Sequence, residues 1–365
     1  MARLDELFRY LKTQDGSDLH LASGLRPYLR RRGALEPISG WEVLAPPALS
    51  TMLREIASEA DWKDYQEGGD LDFAYSLPGV GRFRANYLAQ ENGPGAVFRL
   101  IPEKVKTVED LGLPPAIEGL AHLKSGLVLV TGPTGSGKST TLAAVIDRIN
   151  ATYEKHIVTI EDPVEFVHTN RRAVFSQREV GQDVPTFAAA LKAAVRQDAD
   201  VVLVGEMRDL ETISLAITAA EMGALVFGTL HTNNAAKTID RLVDAFPPEE
   251  QPQIRTTLAE SIAGIVSQLL LPTANGQGRV AAFEILLRTP GLPNLIREGN
   301  TPMLISVIQG GRAQGMRLMD ESLLDLVRSG RVAAQEAARR ASDRTSFERQ
   351  VGLAGKKSEL GGLEG

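Results

Sequence analysis

The sequence predicts an α/β chain of two domains. A small α/β domain spans residues 1–100, and a parallel-sheet domain spans 116–288 with a helical extension over 289–345. Three observations predict it. A glycine-rich loop at 132–141 stands between an apolar strand and a helix-forming stretch. Two further apolar runs, 200–204 and 224–228, alternate with helical stretches, as strands buried on both faces of a parallel sheet do. Three strand candidates at 70–77, 81–89 and 95–101 are separated by Pro78-Gly79 and Gly93-Pro94-Gly95, the turn signals of an antiparallel meander.

Within the first domain, Leu4, Leu7, Phe8 and Leu11 have helical spacing. A turn at Asp15-Gly16-Ser17 leads to an alternating piece at 18–21, and residues 27–32 read as an edge strand. Leu49, Leu53, Ile56 and Ala60 share one face of a helix over 46–65. Arg82, Arg84 and Arg99 fall on strand candidates, with Arg82 and Arg84 on one face because they are two apart. They read either as a solvated face or as forks offered to the triphosphate of a neighbouring subunit. His20 has no metal partner at ligand spacing and reads as structural. Residues 101–115, rich in proline and mixed charge, read as an inter-domain linker.

The second domain opens on Leu127-Val128-Leu129-Val130 and then GPTGSGKSTT. This is a P-loop in its strand–loop–helix context, so a nucleoside triphosphate is the expected ligand. Gly132, Pro133, Thr134, Gly135, Ser136, Gly137, Lys138, Ser139 and Thr140 form the cradle, its N–H groups turned inward as an anion nest. Lys138 supplies a point charge for the β- and γ-phosphates, and the Ser139 hydroxyl a ligand for Mg²⁺. Strand 156–160 ends in the acidic corner Glu161-Asp162-Pro163-Val164-Glu165. Strand 200–204 ends in Gly205-Glu206, and strand 224–228 runs on to His231. Ligands of such sheets sit at the carboxyl ends of the strands, which groups these residues. Many P-loop ATPases have an Asp-Glu pair where Gly205-Glu206 stands. Glu206 is the candidate to orient the attacking water, and Glu165, Glu161 or Asp162 to replace the missing carboxylate, Glu165 holding Mg²⁺ through water. His231 can hydrogen-bond the γ-phosphate. Arg208 can pair with a carboxylate or face a subunit interface. From 247 onward the chain reads as helical (249–271, 292–298, 303–309, 320–329 and 333–341) with one strand at 279–287, and the tail over 346–365 as disordered.

Composition narrows the function classes. The 365 residues have 43% hydrophobic and 24% charged content, no cysteine and a net charge of −6. No apolar run approaches the ~18 residues of a membrane span. The N-terminus mixes charges and has no apolar core, so it does not read as a signal peptide. A thiolate zinc site and a disulfide are excluded, and the acidic balance argues against nucleic acid as a partner. No Arg-rich lid suggests a small-molecule kinase, and no NKxD motif a GTPase.

The P-loop, TIEDPVEF (159–166), VVLVGEMRDLET (201–212) and GTLHTNNAAKTIDR (228–241) together resemble the secretion-superfamily hexameric ATPases, and within them the type IV pilus retraction ATPases. The likeness runs from GSDLHL (16–21) through GRFRAN and GAVFR to about residue 330. It implies a PAS-like N-terminal domain and a RecA-like core. It also implies ATP hydrolysis with Mg²⁺, a homohexamer, and force passed to the pilus platform protein from the cytoplasmic face of the inner membrane, with other pilus ATPases as further partners. The absent tetracysteine element and the stretch Asn294-Leu295-Ile296-Arg297-Glu298 are similar to the retraction branch rather than to assembly ATPases. Gly291-Leu292-Pro293 departs from that branch's signature, and Ala224 stands where its first histidine is expected. The accessory retraction paralogue, a type II secretion or DNA-uptake ATPase and a non-catalytic nucleotide sensor are the alternatives. The resemblance also implies that Arg82, Arg84 and Arg99 complete a nucleotide site.

Overall fold

The computed structural model describes residues 2–31, 33–101 and 104–353. The chain divides into two compact units, Met1–Val105 with Asp162–Val167, and Lys106–Glu161 with His168–Gly365. The boundary differs from the expectation in two places. Residues 106–115, read as linker, belong to the second unit, where Val108 is buried and Glu109 pairs with Arg148. The corner 162–167 leaves the sheet that precedes it and joins the first unit.

The first unit is a six-stranded antiparallel sheet of β1 (Asp18–Ala22), β2 (Tyr28–Arg31), β3 (Ala34–Pro37), β4 (Asp70–Leu77), β5 (Gly81–Gln90) and β6 (Gly93–Ile101). Its strand order is β3-β2-β1-β6-β5-β4. Helix Leu4–Thr13 buries Leu4, Leu7, Phe8 and Leu11, the four residues its spacing selects. Phe8 stacks on Phe83 at 4.2 Å between ring centroids and meets Phe98 edge-on at 5.0 Å, so one helix face and two central strands share an aromatic core. The helix expected over 46–65 is two, Pro46–Arg54 and Glu59–Gly68. Ser58 starts the second, its hydroxyl accepting from Asp61 N at 3.1 Å.

The second unit is a seven-stranded sheet. Its strands are β7 (Gly126–Thr131), β8 (His156–Glu161), β9 (Val174–Glu179), β10 (Val201–Val204), β11 (Leu225–Leu230), β12 (Ile262–Pro272) and β13 (Arg279–Leu287). The order is β13-β12-β7-β11-β10-β8-β9, parallel throughout except where β13 turns back along β12. β7, β10 and β11 are buried along their whole length, as strands with packed layers on both faces must be. The helix expected over 249–271 ends at Ser261 and continues as β12. β12 lies between β7 and β13, so its apolar run meets sheet neighbours on both edges. β9 is an additional strand at the far edge. The tail expected to be disordered from 346 forms helix Arg344–Gln350, because Phe347 is buried against Leu271, Met319 and Leu323. Residues 354–365 of that expectation lie outside the described residues.

Candidate nucleotide site

β7 delivers the chain to the loop, and helix Lys138–Thr152 carries it away. Gly132, Gly135 and Gly137 have φ of +144°, +77° and +87°, a backbone that side chains rarely tolerate. At Gly132 space also forbids one: a Cβ there would lie 2.3 Å from the Gln268 carbonyl oxygen. The Ser136 N–H donates to Pro133 O at 3.1 Å, closing the turn over Pro133, Thr134 and Gly135. Lys138 begins the helix, and its Nζ donates to Gly132 O at 2.9 Å and to Pro133 O at 3.2 Å. The ammonium thus lies over the loop backbone, with Ser139 and Thr140 following in the first turn. The cradle fits a triphosphate: bare glycine backbone, a helix N-terminus and one fixed cation.

Sequence reasoning missed the floor of this loop. Gln268 of β12 is buried, its Nε2 donating to Ser136 O at 2.7 Å and its Oε1 accepting from Thr141 Oγ1 at 2.9 Å. Beside it the Ser267 and Thr131 hydroxyls are 2.8 Å apart. A glutamine inside an apolar run carries no motif, so only the parallel pairing of β12 with β7 could have revealed it.

Glu206 and His231 end β10 and β11, which are adjacent in register, and β11 is adjacent to β7. Of the grouping drawn from strand ends, the structure brings three members together: loop, carboxylate and imidazole occupy one rim of three neighbouring strands. The rim spans about 10 Å at ordinary strand spacing. His231 Nε2 lies 2.9 Å from Glu206 Oε1. An ionised carboxylate only accepts, so Nε2 carries the proton. Arg208 Nη2 donates to Glu206 Oε2 at 2.7 Å, the carboxylate pairing of the two Arg208 expectations. Burial pushes the Glu206 carboxyl upward, but the Arg208 hydrogen bond and charge, with His231, outweigh it and hold it below the usual carboxylate range. Arg241 lines the same small cleft with Met207, Leu230 and Thr232. Ala224, the expected place of a first histidine, lies at the opposite end of β11, where its carbonyl accepts from Gly126 N at 3.0 Å.

Glu161 ends β8, and its Oε1 accepts from Gln177 Nε2 at 3.4 Å. Glu165 and Asp162 belong to the first unit, in the segment whose Val164 carbonyl accepts from Arg82 Nε at 2.9 Å. Arg84 and Arg99 stand directly opposite each other on β5 and β6. Arg99 Nε is 2.8 Å from Asp18 Oδ1, and Arg84 Nε is 3.6 Å from Asp72 Oδ1. Burial pushes Asp18 up, but the Ser17 hydroxyl and the Arg99 guanidinium prevail and lower it. The three arginines therefore form one face of one sheet, each held by a neighbour in its own unit. Among the described residues no group of three or more His, Asp or Glu has the arrangement of a metal cage. Mg²⁺ would be held chiefly by Ser139 and phosphate oxygens, which is how this cation is usually bound.

A second buried acid lies behind the rim. Glu284 of β13 accepts from Ala235 N at 2.8 Å through Oε1 and from Met319 N at 3.4 Å through Oε2. Those are the first residues of helices Ala235–Asp244, which follows His231, and Met319–Arg328, in the C-terminal extension. Burial raises the Glu284 carboxyl, and the two N–H donors only partly offset it. Arg297 of the NLIRE stretch reaches Glu260 Oε1 at 2.8 Å, tying helix Leu292–Arg297 to helix Gln251–Ser261.

The type II/IV secretion system protein family model matches residues 42–339. The type IV pilus retraction ATPase PilT of Pseudomonas aeruginosa is 48% identical over 94% of this chain and 99% of its own. A twitching motility protein of Neisseria gonorrhoeae is 49% identical over 88% of this chain and 86% of its own. The pilus ATPase PilU and the type II secretion ATPases are more distant. The crystal structure of the pilus retraction motor PilT with bound ADP superposes with a TM-score of 0.88 at 42% identity, over 96% of this chain and 99% of that one. With a nucleotide loop, a strand-end glutamate and a likeness that extends over both units, the chain is an ATPase of the type II/IV secretion family and belongs to its PilT-type branch.

Proposed function

We propose that this chain is the motor of type IV pilus retraction, hydrolysing ATP in a homohexameric ring and passing force to the platform protein at the inner membrane. The observation that carries the reading is the Glu206–His231–Arg208 cluster on the same rim as the P-loop. The loop and Lys138 bind the triphosphate. Ser139 would hold Mg²⁺ at the phosphates, where the ion would supply charge neutralisation for the β- and γ-phosphoryl oxygens. Glu206, ionised and fixed at both oxygens, orients the attacking water. His231 holds one of those oxygens and reports the γ-phosphate to the helix that follows it.

Arg82, Arg84 and Arg99 complete the site of a neighbouring subunit. Their placement supports this: the three guanidinium groups share one face of one sheet, with Arg84 and Arg99 directly opposite each other on adjacent strands, so several phosphate-binding forks are gathered in one place. Contacts of these arginines with the phosphates close the site, and loss of the γ-phosphate opens it. Six sites acting in turn move the platform protein and return pilin subunits to the membrane, with no nucleic acid involved.

Deleting the gene tests the direction of work. Excess surface pili with lost twitching is the expected outcome, and bald cells would overturn it.

A further inference from the structure

We infer that Gln268 is a positioning residue for ATP: it locks the P-loop from beneath in the conformation that receives the phosphates. The inference rests on the reading of that loop as the ATP site.

The Gln268 side chain holds the loop where it passes into the helix. Its amide N–H₂ donates to Ser136 O at 2.7 Å, immediately before Gly137 and Lys138. Its Oε1 accepts from Thr141 Oγ1 at 2.9 Å, one helical turn into Lys138–Thr152. A carbonyl only accepts, so the bond to Ser136 fixes which way the amide points, and the Thr141 hydroxyl then has one acceptor to reach. Its main chain also walls the first glycine, since a Cβ on Gly132 would lie 2.3 Å from Gln268 O. A Cβ on Gly137 would lie 2.9 Å from Gln268 Nε2. The side chain is 3% exposed, so both bonds form away from water, where a partner lost is not replaced.

This geometry does a definite task. With Ser136 O turned down onto the amide, the peptide joining Ser136 to Gly137 is held with its N–H on the side away from Gln268. That is the side on which an anion nest presents its donors. Thr141 pins the start of the helix whose positive end completes the nest. Preorganising donors in this way lowers the ordering cost of binding and acts on the ground state and transition state alike. The signature is a KM effect with kcat largely kept.

The full-length chain tests this with fluorescent N-methylanthraniloyl-ATP binding, steady-state ATPase assays and urea unfolding. Gln268→Met keeps the volume and removes both bonds. It should weaken nucleotide binding and raise KM by about tenfold, with kcat within about twofold. Thr141→Val alone should weaken binding by about threefold, and added to Gln268→Met it should change little, because the bond it removes is already gone. Leu271→Ala, in the same strand but packed in the C-terminal cluster, is the stability control and should lower the unfolding midpoint without moving the affinity. Wild-type affinity in Gln268→Met, or an equal affinity loss in Leu271→Ala, would overturn the inference. If Gln268→Met does not fold, Thr141→Val decides, and unchanged affinity there overturns it. A wild-type chain that itself fails to bind, or a Lys138→Ala chain that binds normally, would instead sink the ATP reading and this inference with it.

Discussion

Glu206 is held at both oxygens, and that has two consequences for experiments. Glu206→Gln keeps the shape and loses the charge, so nucleotide binding should persist while turnover falls by about 10²–10³-fold. Equal turnover in a phosphate-release assay would remove Glu206 from its role. Arg208 is what keeps the carboxylate acidic against its burial. A lowered folded pKa contributes stability at pH above the usual carboxylate range, and that contribution is lost as pH falls through the folded value. Arg208→Ala removes one of the two groups that offset burial, so the acid limb of the kcat/KM profile should move to higher pH, and an unmoved limb would refute the pairing. At Gly132 an added methyl would meet the Gln268 carbonyl oxygen at 2.3 Å. Gly132→Ala should therefore lose about a hundredfold in ATPase kcat/KM, the order of cost expected when reacting groups are misplaced by an ångström.

At the scale of elements, the sequence was readable wherever one physical signal stood alone. β10 and β11 are short, fully apolar and bracketed by helical stretches, and they lie where the composition places them. Glu206 and His231 were legible because a strand end in a parallel sheet is a predictable place. β12 was not, because Ile262, Ile265, Val266 and Leu269 also suit one side of a helix, and only its edge partners β7 and β13 settle the matter. Gln268 was lost with it. The corner 162–167 was misplaced for a different reason: a sequence says which strand it follows but not which sheet it packs against. Helix Arg344–Gln350 was hidden by its polar composition, since a single aromatic, Phe347, docks it. Phe347→Ala should cost about 3 kcal/mol in urea unfolding, and a loss under about 1 kcal/mol would show that the helix contributes little.

At the scale of the whole molecule, ring assembly is the proposal with most to test. Light scattering of the purified chain should give a mass six times that of one subunit in the presence of nucleotide. Arg84→Ala should cut turnover in the assembled ring by at least about tenfold and leave nucleotide binding intact. Untouched turnover would defeat the idea that these cations serve a neighbour's phosphates. Inside one subunit, Glu284 serves two helices at once. Two helices, one following His231 in the chain and one in the C-terminal extension, begin on opposite oxygens of a single carboxylate. Glu284→Ala would leave both helix starts without that acceptor away from water, so one truncation should weaken two elements together. A single side chain thus anchors two stretches of chain that lie far apart in sequence.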